Sequence, residues 1–175
     1  MIYHIITHVA LLVLCHANAF SQDADMQKKE ARFSLKIGSY IHHIQSNNHV
    51  EYNEAFNNKL ISGGVKISQS NELIIGTFLN SYKDRCALIG LDRNWHDINP
   101  KLSFHGIYAY AGEFFLNQFD HCQNNGIYKS FKDRTNIGFA PYIYHGLRYN
   151  ITKIAGLEFG FIFPKILAGT LRWEF

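Results

Sequence analysis

In the last nine residues, "LAGTLRWEF", apolar and polar side chains take turns. Leu167, Leu171, Trp173 and Phe175 share one parity, and Ala168, Thr170, Arg172 and Glu174 share the other. Period two marks a strand with one apolar and one polar face. The segment before it repeats the pattern, with Ala155, Leu157, Phe159, Phe161 and Phe163 set against Glu158 and Gly160. Residues 32–41 place Phe33, Leu35, Ile37 and Ile41 opposite Lys36, and residues 60–68 place Ile61, Val65 and Ile67 opposite Ser62 and Lys66. Residues 73–80, 86–95 and 102–112 alternate less regularly, and 137–149 completes a set of eight segments. Helical periodicity is not sustained after residue 32. The stretch before it, "SQDADMQKKEAR", predicts a short polar helix.

Eight strands of about nine to eleven residues suit a small antiparallel transmembrane barrel. The connections alternate in length. Short turns are expected at 69–72, around Asn99-Pro100 and at 151–153, and longer loops at 42–59 and 114–135. Long loops outside and short turns inside is the bacterial arrangement, and Phe175 closes the chain with an aromatic on the apolar face. The expected fold class is therefore all-β: an eight-stranded antiparallel transmembrane β-barrel over 32–175, preceded by a short N-terminal helix within 20–31. A soluble eight-stranded barrel, with its apolar residues pointing inward, would show the same alternation.

Composition favours the membrane form. Aromatic residues make up 15% of the chain and hydrophobic residues 47%, yet the apolar content falls in short alternating segments rather than long runs. Residues 1–19, "MIYHIITHVALLVLCHANA", contain no Lys, Arg, Asp or Glu and end in Ala17-Asn18-Ala19. A short apolar core before a small-x-small tripeptide is the pattern of a cleaved secretory signal. Bulky Leu14 before Cys15 argues against a lipoprotein. Removal of the signal leaves about 156 residues, one domain's worth. The net charge of +3 without blocks of like charge gives no reason to expect nucleic acid. Localisation in the outer membrane of a Gram-negative bacterium follows as the expectation. Cys86 and Cys122 remain in the mature chain; an exported pair permits one disulfide, but two separate thiols are the favoured expectation.

The chemistry concentrates at strand ends. The first strand ends at His42-His43 and the third at Asn80-Ser81. Strands of equal direction deliver an imidazole and a hydroxyl to the same rim, as a serine hydroxyl needs, because it is a weak nucleophile until a base takes its proton. The plain alternative is that these are ordinary polar rim residues.

The tract "YIHH…EYNEAFNNKLISGGVKI…GTFLNSYKDRCALIGLDRNW" resembles the bacterial lipid A palmitoyltransferases. In that family a His closes the first strand, Tyr-Asn-Glu follows in the first loop, the second strand is Gly-rich, and an Asp-Ser pair closes the third. This chain supplies His42 or His43, Tyr52-Asn53-Glu54, Gly63-Gly64 and Asn80-Ser81 in that order. The resemblance spans about residues 32–175. It also extends to Pro141 and Pro164, two of three prolines, in segments matching the sixth and seventh strands. There the family uses prolines to open the wall laterally to lipid, consistent with the N–H that proline cannot lend to a ladder. The sequence departs from the pattern at Asn80, where the family has Asp; Asp84 and Glu51 are the neighbouring carboxylates that could substitute.

The resemblance implies transfer of palmitate from a phospholipid donor to lipid A, with no cofactor. His42 or His43 would act as general base, Ser81 with Asn80 would complete the site, and the acyl chain would enter an apolar pocket in the upper barrel. Parity in the first strand groups His42 with Lys36 and Tyr40 on the inner face, which favours His42. Two other readings compete. His42, His43, His49 and Glu51, or His121 with Cys122, are metal-capable residue types, but no tight ligand motif is present and no metal is expected. A non-catalytic barrel could serve surface protection or adhesion, with Lys129, Lys132 and Arg134 of the second long loop meeting lipopolysaccharide phosphates.

Overall fold

Alternation becomes architecture through the backbone ladders. A computed structural model of the chain describes residues 31–44, 55–114, 116–122, 124 and 126–175. The signal segment and the short polar helix expected before residue 32 lie outside the described residues. The strands are β1 (Phe33–His43), β2 (Ala55–Asn57), β3 (Ile61–Lys66), β4 (Asn71–Leu79), β5 (Arg85–Asn99), β6 (Leu102–Gly112), β7 (Phe139–Asn150), β8 (Ala155–Ile162) and β9 (Ile166–Glu174). A short 3-10 turn at Asn117–Phe119 and an α-helix, α1 (Gly126–Thr135), lie in the connection from β6 to β7. Each strand pairs antiparallel with its neighbour, and β1 also pairs with β9, so the sheet closes on itself. Both β2 and β3 pair with β1 and are two pieces of one stave, which makes an eight-staved barrel.

The break between those pieces lies opposite Gly38. This residue has φ +62, and the β1–β9 register shifts between Ile37 and Ser39. A glycine in the left-handed region is the device of a β-bulge, which inserts one residue and reverses the parity of everything after it. Lys36 is buried and Ile37 exposed before the bulge; Ile41 is buried and His42 exposed after it. The expectation that Ile41 shares the outer face with Ile37, and that His42 points inward, is therefore corrected. A one-residue bulge cannot be read from alternation alone.

Which face meets the interior separates the two barrel types. The buried side chains include Lys36, Glu72, Asp92, His105, Arg148, Glu158 and Arg172, whereas Phe33, Ile61, Leu73, Ile75, Leu91, Leu157, Phe159 and Leu171 are exposed. Ile75 is 65% exposed while Lys36 is 1% exposed. Buried polar residues with a continuous apolar exterior invert the soluble pattern, and fit a wall facing hydrocarbon. Among the described residues no helix is long and apolar enough to cross a membrane; the strands do the crossing.

The bore has two halves. The half toward the short turns (67–70, 100–101 and 151–154) is ionic. The half toward the loops (80–84, 113–138 and 163–165) is filled by Ile41, Leu60, Ile74, Leu88, Ile107, Ala109, Ile162 and Ala168. Cys86 and Cys122 are buried and joined in a disulfide with Cα atoms 5.0 Å apart. This corrects the expectation of separate thiols and pins the 113–138 loop to β5.

Candidate active site

The rim at the loop end brings the expected imidazole and hydroxyl together. His43 ends β1, and Ser81 follows β4 in the loop 80–84. His43 Nε2 lies 2.9 Å from Ser81 Oγ, within the reach a base needs to take a hydroxyl proton. Both are half-buried, whereas His42 is exposed. The bulge at Gly38 decides between the two histidines: without its extra residue, His43 would fall on the lipid-facing parity.

Asn80 contributes differently from the orienting role that its position in the motif implies. Its Oδ1 accepts hydrogen bonds from the Tyr82 and Asp84 backbone N–H groups, each at 2.9 Å. Its own N–H donates to the Asp84 carbonyl at 2.9 Å, and Lys83 N–H donates back to the Asn80 carbonyl at 3.0 Å. Lys83 takes a left-handed φ of +69. Together these make a tight turn closed by an Asx side chain, which holds Ser81 toward His43. An Asx turn accepts Asn or Asp alike, so the exchange noted in the sequence preserves the turn while removing a charge. The Asp84 carboxylate lies 3.4 Å from Asn80 Nδ2. Glu51 and Tyr52-Asn53-Glu54 lie outside the described residues.

Beneath the pair, Phe56, Phe78, Tyr142, Ala111 and Ile166 pack half-buried on the apolar cluster of the bore. The Phe78 and Tyr142 rings are 6.0 Å apart. The floor of the rim is thus hydrocarbon and aromatic, a surface suited to an acyl chain. Pro141 lies in β7 opposite Tyr110 of β6. The β7–β8 ladder begins only at Tyr144 opposite Ile162, extended by one bond from Phe163 N–H to the Ile143 carbonyl. Residues 139–142 therefore have no ladder partner on β8, and the wall is notched there. Pro164 belongs to the short 163–165 connection rather than to the seventh stave itself.

The second site in the bore was not singled out by sequence reasoning. Lys36 Nζ binds the Asp92 carboxylate and, at 2.9 Å, Glu158. Arg148 bridges the same two acids at 2.7 and 2.8 Å, His105 Nδ1 meets Asp92 at 3.0 Å, and Arg172 meets Glu72 at 2.6 Å. The Ser34 hydroxyl donates to Glu72. Gly64 of the expected Gly-Gly pair supports this cluster, because a Cβ there would strike the Glu72 carboxylate and Ser34 Oγ. A cavity of about 160 Å³ at the turn end reaches Glu72, Asp92, Arg148 and Arg172. Three cations balance three carboxylates across Lys36, Arg148, Arg172, Glu72, Asp92 and Glu158, so the plug is neutral while His105 is neutral. Inward parity on several strands was the available signal; which polar residues converge depends on stagger around the barrel.

Metal chemistry finds little room. Cys122 is committed to its disulfide. Asp92, His105 and Glu158 offer ligand atoms within 4.8 Å of one another, but Lys36 and Arg148 already occupy both carboxylates. His49 lies outside the described residues.

No protein-family model and no curated protein matches the chain. Solved structures do match. A de novo designed transmembrane β-barrel aligns with TM-score 0.53 at 12% identity, over 86% of this chain and all of that one. A second designed barrel, TMB2.3, aligns with TM-score 0.50 at 12% identity, over 85% and 98%. The N-terminal β-barrel domain of Pseudomonas aeruginosa OprF aligns with TM-score 0.41 at 13% identity, over 84% and 100%. With its closed ladder, outward apolar face and ionic bore, this chain has the fold of an eight-stranded antiparallel transmembrane β-barrel.

Proposed function

We propose that the barrel resides in the outer membrane of a Gram-negative bacterium and transfers a fatty acyl chain from a phospholipid to lipid A. Palmitate is the chain implied by the sequence resemblance. The observation that carries this reading is the His43 Nε2–Ser81 Oγ contact of 2.9 Å above an apolar rim. With the start of β1, the end of β9 and the short turns at the periplasmic side, this rim faces the leaflet that contains lipid A.

In the first half-reaction Ser81 Oγ attacks the ester carbonyl of the phospholipid while His43 Nε2 takes the hydroxyl proton. The same proton passes to the departing glycerol oxygen, leaving the acyl group on Ser81. In the second, a lipid A hydroxyl gives its proton to His43 and attacks the acyl-serine, and Ser81 recovers the proton. Asn80 fixes the turn that presents Ser81. The notch beside Pro141 gives lipid a way in from the side, and Lys129 and Arg134, both exposed, are available to lipid A phosphates.

The test is purified barrel in mixed micelles with acyl-labelled phospholipid and lipid A, read by mass spectrometry of the lipid A. Ser81→Ala and His43→Ala should each lower transfer about a hundredfold or more, with His42→Ala near the wild-type rate. Labelled free fatty acid without acylated lipid A would make the protein a hydrolase instead. No turnover of either kind would leave a non-catalytic barrel of surface protection or adhesion.

A further inference from the structure

The outer wall below the Ser81 turn changes character at its loop-end edge. Ile61 of β3, Ile75 of β4 and Ile89 of β5 are exposed on neighbouring staves and make a surface for hydrocarbon. Gly63 lies opposite Ile75, and a Cβ there would meet no atom within 4 Å, so the wall is open at that level. Toward the loops the same outward parity arrives at Lys59, which is exposed, and Arg85, which is half-buried. Arg85 begins β5 opposite Leu79, the last residue of β4, so the turn that presents Ser81 springs from this edge.

The two cations are placed rather than loose. Arg85 Nη1 donates to the Lys59 carbonyl at 3.2 Å, which sets the guanidinium against the Lys59 backbone. Lys59 N–H donates to Asn57 Oδ1 at 2.8 Å, and the carbonyl of buried Asn58 accepts Leu79 N–H at 2.6 Å. Lys59 has φ +50, and Lys83, exposed in the Ser81 turn, has φ +69. Left-handed backbone suits glycine or asparagine better than lysine, and residues held in such conformations cluster at ligand clamps.

Their charge is not balanced within the barrel. Among the described residues no carboxylate is ion-paired with Lys59, Lys83 or Arg85. Glu113 is taken by Lys132 and Asp120 by His121, while Asp84 Oδ2 faces Asn80 Nδ2. Cations along the edge of a hydrocarbon-facing wall match an anion that is itself anchored in the membrane. A second barrel docked on the same wall would set like charges opposite one another.

We infer that Lys59 and Arg85 bind a phosphate of lipid A and hold it on the outer wall beside Ser81, with its acyl chains along Ile61, Ile75 and Ile89. Lys83 adds charge from the turn itself. The choice of lipid A rests on the acyl-transfer reading, which puts this rim in the lipid A leaflet; the phosphate contact does not require Ser81 to react.

The test uses the Ser81→Ala barrel in detergent micelles, where lipid A is not consumed, with binding read by native mass spectrometry. Bisphosphorylated lipid A should bind more tightly than lipid A stripped of its phosphates. Lys59→Asn, which accepts the left-handed φ, and Arg85→Gln should each weaken bisphosphorylated lipid A about fivefold, the order contributed by one basic residue at an anionic surface. Arg85→Lys should keep the binding, and Lys101→Gln/Lys153→Gln at the opposite mouth should leave it unchanged. In the Ser81-containing protein, Lys59→Asn/Arg85→Gln should raise KM for lipid A with kcat unchanged. Charge-dependent binding without any acyl transfer would support this site while removing the acyl-transfer reading. Equal binding of phosphorylated and stripped lipid A by the unsubstituted wall, bisphosphorylated lipid A binding unchanged in Lys59→Asn/Arg85→Gln, or displacement of lipid A by an equimolar amount of phosphatidylglycerol would overturn the inference.

Discussion

Lys36 is the most informative residue to remove, because its ammonium sits between two buried carboxylates. Its side chain is 2% exposed, and those of Asp92 and Glu158 are 1% and 2% exposed. Lys36→Met keeps much of the volume but leaves two cations facing three acids in the bore. Breaking one side of a buried ion pair costs about 3–5 kcal/mol, because the partner charge stays desolvated and uncompensated. Arg148 still holds Asp92 at 2.7 Å and Glu158 at 2.8 Å, which places the expected loss near the lower limit, about 3 kcal/mol. The assay is reversible urea unfolding in phospholipid vesicles, followed by tryptophan fluorescence and by heat-modifiable gel mobility. Lys36→Met/Glu158→Gln restores the charge balance and should recover about 1 kcal/mol or more relative to the single variant, as coupling within one network allows. The reasoning is refuted if Lys36→Met unfolds at the wild-type urea midpoint, or if the double variant is less stable by the sum of the two single losses.

Two further perturbations test the devices that hold the rim in place. Gly38→Val forces a β-branched side chain into φ +62 and should lose about 1–2 kcal/mol in the same unfolding assay; acyl transfer should fall with it, since the bulge aims His43. Replacing Cys86 and Cys122 by Ser frees a span of 36 residues, which the chain-entropy account values at about 4 kcal/mol. The barrel ladders do not run through that bridge. Limited trypsin digestion should therefore cut the variant faster at Lys129 or Arg134, while the gel mobility of the folded barrel persists.

Much of the fold was legible because the side-chain period of a strand is two and the interior must differ from the exterior. The faces of the strands around Glu158 and Arg172 followed directly. The rim pairing of the first and third strands followed too, because antiparallel staves alternate in direction. The choice between His42 and His43 did not follow: it turns on a single bulge residue, and Gly38 carries no alternation signal of its own. Asn80 was read as a departure from a catalytic pattern, whereas the structure places its side chain in the turn that presents Ser81. The pairing of Cys86 with Cys122 was equally hidden, since closeness across 36 residues is a property of the folded loop.

Local pattern alone determined that the chain makes short antiparallel strands with one apolar face, and that polar chemistry gathers at their ends. Tertiary structure decided which way that face points, which polar residues from distant strands meet in the bore, and which histidine reaches Ser81. The physical reason is closure. Alternation is local and survives either orientation, but burial, register stagger and the bulge act only once β1 joins β9 and an inside exists.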